Sequence, residues 1–112
     1  MKRTLFFLTL LSLMLVGSLL AYTAEEQVRH LNHCTGCYLA RTNFAHHDLT
    51  GVDLSGANLE YASFLGATLT DAKFGGANLK GANFTGALWV DGKTVCKKGS
   101  IGKCLAQEAP AQ

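Results

Sequence analysis

From Cys37 to Ala87 the chain places Leu or Phe at every fifth position: Leu39, Phe44, Leu49, Leu54, Leu59, Phe64, Leu69, Phe74, Leu79 and Phe84. A small residue stands two places before most of them, at Ala57, Ala62, Ala67, Ala72, Ala77 and Ala82, and Ala87 stands two before Trp89. A period of five suits no straight element. On a helix the apolar positions would spiral around the cylinder, and on a flat strand they would alternate between faces. They share one interior only if the chain bends once per pentad. Gly51, Gly56, Gly66, Gly76, Gly81 and Gly86 each follow a Leu or Phe by two and can supply that bend; Asp71 takes the slot once.

Four bends close a square, so one coil takes 20 residues and residues 20 apart stack. Phe44, Phe64 and Phe84 then form one column, and Leu39, Leu59 and Leu79 a second. Leu49, Leu69 and Trp89 form a third, and Leu54 and Phe74 a fourth. Like residues in a column pack without voids, and an internal repeat of this kind marks a solenoid. The run A-N-L-E-Y, A-S-F-L-G, A-T-L-T-D, A-K-F-G-G, A-N-L-K-G, A-N-F-T-G resembles the pentapeptide-repeat family, whose pattern is A-(D/N)-L-x-x. The resemblance implies an all-β fold, a right-handed quadrilateral β-helix of about 2.5 coils over residues 37–89. The early pentads depart from the pattern: Cys37, Thr42, His47 and Val52 take the place of the small residue.

Charge changes the picture at the start of the chain. The 112 residues carry a net +2, and the excess comes from Lys2 and Arg3. An uncharged stretch, Thr4 to Ala24, follows them, rich in Leu, Phe and Met. Residues 1–24 therefore read as a secretory signal peptide, with an uncleaved membrane anchor as the alternative. Either reading puts the rest outside the cytoplasm, in a periplasm, a lumen or the secreted fraction. Thr23 to Glu26 has capping-box spacing, and Ala24, Val28 and Leu31 form a short apolar stripe. Residues 25–36 are expected to form a helix that caps the first coil.

The cysteines fall in two close pairs, Cys34/Cys37 and Cys96/Cys104. An even number with an exported address argues for disulfides, and three connectivities are possible. In a solenoid of this length the pairs flank opposite ends, more than ~10 Å apart, beyond disulfide reach. Local pairing, one bridge at each end, is the expectation. A second reading makes Cys34-Thr35-Gly36-Cys37 a redox pair, or a metal site completed by His30 and His33. Helical spacing puts His30, His33 and Cys34 on one face, but the pattern matches no standard zinc motif. The redox version lacks the helix start that lowers a thiolate pKa. His47, in an inward slot, reads as a hydrogen-bonded filler of the first coil. No Ser-His-Asp set or carboxylate pair is present, so no catalytic residue and no cofactor are expected.

The 20-residue coil also places outward neighbours: Glu60 beside Lys80, Asp53 beside Lys73, Asn58 beside Asn78 in an amide ladder, and Arg41 on Tyr61. After Trp89 the pattern breaks. Asp91-Gly92 signals a turn, and residues 90–104 read as a disulfide-closed cap. Similar W-x-D-G…C…G-S-I-G-x-C endings occur in exported pentapeptide-repeat proteins, and that likeness implies the same closing role. Lys93, Lys97, Lys98 and Lys103 make this cap basic, suited to anionic lipid, to an acidic partner or simply to water. Residues 105–112 read as a disordered tail. The expectation is a non-enzymatic structural or interaction module, monomeric or weakly dimeric. It would meet an unnamed protein partner, with no nucleic-acid binding for want of a basic face, and would touch a membrane only through an uncleaved leader.

Overall fold

Parallel bridges join residues 20 apart along the repeat: His33 to Asp53, Tyr38 to Asn58, Asn43 to Ser63, Asp48 to Thr68, and so on to Thr68 with Leu88. This is a computed structural model, and it describes residues 23–107. Almost all of the expected leader and the last five residues of the tail lie outside the described residues. The coil of 20 is the period read from the sequence, but the ladder contains no continuous strand. A corner every five residues leaves one bridging residue per face, too few for a strand. The ladder also starts earlier than Cys37. The Cys34 N–H donates to the Asp53 carbonyl at 2.8 Å, which puts Cys34 in the inward slot of a pentad ahead of Leu39.

Each corner is a tight turn closed by a backbone hydrogen bond three residues back, as from Thr42 N–H to the Leu39 carbonyl at 3.2 Å. The third residue of the turn has positive φ while the second does not, the signature of a type II turn. Glycine fills the slot at Gly36, Gly51, Gly56, Gly66, Gly76, Gly81 and Gly86. Arg41, His46, Tyr61 and Asp71 fill it at the other corners, with φ from 58° to 64°. The residue before each inward Leu or Phe explains the Asn/Asp preference of the repeat. Asn43, Asp48, Asp53, Asn58, Asn78 and Asn83 each accept the backbone N–H two residues on, at 3.0–3.2 Å. That side-chain bond ties the face to the corner that follows it.

The interior is the set of columns. Phe44, Phe64 and Phe84 are fully buried and stack in parallel, with ring centroids 5.4 and 5.1 Å apart. Leu39, Leu54, Leu59, Leu69 and Val52 are sealed around them, and Ala57, Ala62, Ala67, Ala82 and Ala87 fill the corners. Burying each large side chain is worth about 2–3 kcal/mol, and the solenoid has no other core.

At the N-terminal end, helix α1 (Ala24–Leu31) lies against the first coil. Thr23 and Glu26 form the reciprocal capping box, and Asn32 ends the helix in the left-handed conformation. Its apolar stripe is narrower than expected: Val28 is buried, Ala24 is half-buried and Leu31 is exposed. Asn32 also donates its side-chain N–H to the Thr50 carbonyl at 3.2 Å, tying the helix end to the coil.

At the C-terminal end the chain turns at Asp91-Gly92 and comes back antiparallel. Bridges pair Leu88 with Val95, and Asn83 with Ile101. The Trp89, Gly86 and Phe84 N–H groups donate to the carbonyls of Thr94, Cys96 and Ser100. Order continues past Cys104. Lys97 N–H donates to the Leu105 carbonyl, and Ala106 bridges Cys96, so Leu105 and Ala106 belong to the cap and not to the expected tail.

Candidate functional site

Both ends are closed by disulfides, Cys34–Cys37 with Cα atoms 5.4 Å apart and Cys96–Cys104 with Cα atoms 5.0 Å apart. Each joins a buried inward cysteine to a half-buried one. Cys34 is covered by α1: its sulfur lies 3.5 Å from the Ala24 carbonyl and 3.6 Å from the Gln27 side-chain oxygen. In a disulfide these are packing contacts, since no thiol proton remains. A sulfur held there is shielded from the in-line attack that thiol exchange requires. His30 sits in the last turn of α1 and His33 in the ladder. Among the described residues no group of three or more His, Cys, Asp and Glu is placed to hold a metal. The proposed set of His30, His33, Cys34 and Cys37 is therefore not brought together. His47 is half-buried, and its Nδ1 is 2.9 Å from the Ala45 carbonyl, so it bonds within its own coil and not to the helix.

The outer face differs in part from the expected neighbours. Arg41 does lie over the Tyr61 ring, 5.0 Å from its centroid. Glu60, however, accepts from the Asn78 side chain at 2.8 Å instead of pairing with Lys80. Asn58 and Asn78 bond their own corners and form no amide ladder. Arg29–Glu25 is the ion pair among the described residues, so Asp53 and Lys73 are bridge partners in the ladder without an ion pair between their side chains. The Lys73 charge is still one of the weaker influences holding the Asp53 carboxyl below its usual range, after the hydrogen bonds from Ser55.

The least finished surface is the C-terminal end. Among the described residues the antiparallel return covers the faces centred on Phe84 and Trp89 and leaves that centred on Phe74 open. It reaches the face of Leu79 only at its far corner, where Gly102 lies beside the Leu79 carbonyl and the Gly81 N–H without a backbone hydrogen bond to either. One coil earlier, the Leu54, Gly56, Leu59 and Tyr61 N–H groups donate to the coil above, and the Val52 and Ala57 carbonyls accept from it. Their counterparts here are the Phe74, Gly76, Leu79 and Gly81 N–H groups and the Ala72 and Ala77 carbonyls. These have no protein partner among the described residues. Side chains show the same gap. Leu54, Ala57 and Leu59 are 0% exposed, whereas Phe74, Ala77 and Leu79 are only half-buried. Trp89 borders the opening, stacked parallel on Phe74 with centroids 5.9 Å apart and edge-on to Phe84 at 5.1 Å.

Charge follows the same axis. Residues 23–60 hold Glu25, Glu26, Asp48, Asp53 and Glu60 against Arg29 and Arg41. Residues 61–107 hold Lys73, Lys80, Lys93, Lys97, Lys98 and Lys103 against Asp71 and Asp91. The molecule is acidic towards α1 and basic towards the open end.

The family model for pentapeptide repeats matches residues 33–69 and 48–86, in eight copies. The matched span is the one whose bridges repeat every 20 residues. The chain belongs to the pentapeptide-repeat family. Membership implies the right-handed quadrilateral β-helix, and the four-cornered ladder of parallel bridges agrees with it. Among solved structures the chain is similar to HetL, a pentapeptide repeat protein involved in heterocyst differentiation regulation from the cyanobacterium Nostoc sp. strain PCC 7120. That match has 35% identity over 55% of this chain and 31% of HetL, with a TM-score of 0.27. It is also similar to Rfr23, a pentapeptide repeat protein from the cyanobacterium Cyanothece 51142. Here the identity is 20% over 57% of this chain and 85% of Rfr23, with a TM-score of 0.24. The chain thus spans about a third of HetL. No curated protein matches it.

The open end has a signal in the sequence, in the place where the repeat stops. The pentads stop at Trp89, three positions along the square from Phe74, so among the described residues half of the last coil has no coil stacked above it. Cys34 likewise sits five residues before Leu39, in register with the repeat.

Proposed function

We propose that this pentapeptide-repeat protein is an exported, non-enzymatic structural or interaction module that meets a protein partner outside the cytoplasm. The observation that carries the reading is the pairing of all four cysteines, one bridge at each end of the solenoid. Such closure suits an oxidising compartment, where disulfides persist. It also leaves no free thiol to ligate a metal. The six Asn and Asp side chains in the ladder support the same view, since each one accepts a backbone N–H at a corner. The polar groups of the repeat thus build the scaffold.

Cell fractionation with thiol titration and in situ cross-linking tests the proposal. The expected result is protein in the extracytoplasmic fraction, four oxidised cysteines, and a cross-linked protein partner. Cytoplasmic protein with free thiols and stoichiometric zinc would overturn it.

A further inference from the structure

We propose that the open half of the C-terminal end is a docking site for an acidic, extended polypeptide segment that completes the last coil. The inference rests on the interaction-module reading and names the partner's chemistry. Three observations converge on one place. Among the described residues, the faces of Phe74 and Leu79 present four backbone donors and two carbonyls with no protein partner, alternating as an edge that can extend a ladder. Beside this edge lie half-buried apolar side chains whose equivalents in the coil below are sealed. Lys73 precedes Phe74, Lys80 follows Leu79, and every other described lysine lies in the adjoining cap.

The chain's own return shows what an occupant looks like. Residues 94–96 and 100–102 are two short extended tracts joined by a turn, and each pairs with one face of the coil. A partner that fills the other two faces needs the same form, because the square corner between Phe74 and Leu79 forbids a straight strand. Charge selects among occupants. A second copy docked open end to open end would set the lysines of one molecule against those of the other, which is repulsive. An acidic segment gains attraction at the same contacts. Lysines on an edge also discourage indiscriminate strand pairing, so the surface rejects most chains and admits a complementary one.

The test uses the purified full chain with its disulfides intact. The probe is a fluorescein-labelled peptide carrying two Glu-Val-Glu tracts joined by Asn-Gly. Binding is followed by anisotropy and by the emission of Trp89, the single tryptophan, which borders the site. The expected result is saturable binding that shifts Trp89 emission. Lys73→Glu with Lys80→Glu should weaken it by about ten-fold or more. N-methylation of the pairing amides in the peptide should weaken it by about ten-fold as well. That second arm needs no variant of the protein, so it decides even if the charge-reversed chain misfolds. Four results would overturn the proposal. The first is no binding, and the second is equal affinity for a Lys-Val-Lys peptide or for the N-methylated one. The third is binding of phosphatidylglycerol vesicles in place of the peptide, which would assign the lysines to a lipid surface. The fourth is concentration-dependent dimerisation abolished by Phe74→Glu, which would assign the end to a second copy. Export and disulfide state are read independently by fractionation, so failure of the module reading is distinguishable from failure of this site.

Discussion

The ring of Tyr61 lies across Gly81, in the corner of the coil above. A Cβ built on Gly81 would fall well inside 3.0 Å of the ring's Cδ1 and Cε1 atoms. Arg41 lies over the same ring, so Arg41, Tyr61 and Gly81 form one corner column in which a cation, an aromatic ring and a bare backbone stack in turn. Gly81→Ala therefore combines two costs: about 1–2 kcal/mol for a side chain at positive φ, and displacement of the ring. In a double-mutant cycle with Tyr61→Ala, the second cost should vanish and the first remain. A coupling energy of about 1 kcal/mol from denaturant unfolding is expected, and strict additivity would refute the stack.

The middle of the phenylalanine column should be the most sensitive point of the core. Phe64 has Phe44 on one side and Phe84 on the other, and it is fully buried. Phe64→Ala is expected to cost about 3–5 kcal/mol. Phe74→Ala, at the half-open end, should cost clearly less. Chemical denaturation of the two variants checks the order; equal losses would mean that the end is covered in solution.

Removing the cap disulfide should loosen the antiparallel return. In the loop-entropy picture a loop the size of Cys96–Cys104 contributes about 2–3 kcal/mol. The paired change Cys96→Ser and Cys104→Ser is expected to lower stability by that amount. Amide exchange should quicken at Phe84, Gly86 and Trp89, whose N–H groups donate to the return. Protection unchanged at those three amides would show that the return holds without its bridge. Non-reducing peptide mapping of the unaltered chain should find 34–37 and 96–104 linkages and no others.

Acid should act on the turn that starts the return. The Asp91 carboxylate accepts from the Thr94 hydroxyl and from the Thr94 and Lys93 N–H groups, in that order of influence, and its pKa is lowered to about 2. A carboxyl lowered in the folded state adds stability that is fully present above its unfolded pKa of 3.8 and is lost as pH falls towards about 2. Asp48 and Asp53 are lowered in the same direction by hydrogen bonds from Thr50 and Ser55. Unfolding midpoints measured from pH 5 to pH 2 should fall less steeply for Asp91→Asn than for the unaltered chain. Parallel curves would remove Asp91 from the acid response.

Much of the fold was legible because one spacing governs it. Leu39 to Phe84 announce both the bend and the coil, and the columns they form are the ones that pack. What escaped was whatever occupies a slot with an unexpected residue. Cys34 fills an inward position, and its role as cysteine hid its role as core. Arg41, His46 and Tyr61 adopt positive φ in the glycine slot, where only neighbouring coils hold them, so propensity gives no warning. Surface pairings were the least legible. Glu60 found Asn78 instead of Lys80 because long exposed side chains choose among several close partners at little energetic difference. The half-open end required counting faces after Trp89, a question of where the repeat stops and not of what it repeats.

A 20-residue turn with four corners also makes the repeat a spindle on which two fittings are mounted. The number of pentads between α1 and the return fixes their relative azimuth, and each added pentad would swing one past the other by a quarter circle. Adding 20 residues would restore the angle and lengthen the spindle by about 4.8 Å. Reach and orientation are thus separately adjustable, in steps that leave every internal contact of the remaining coils in place.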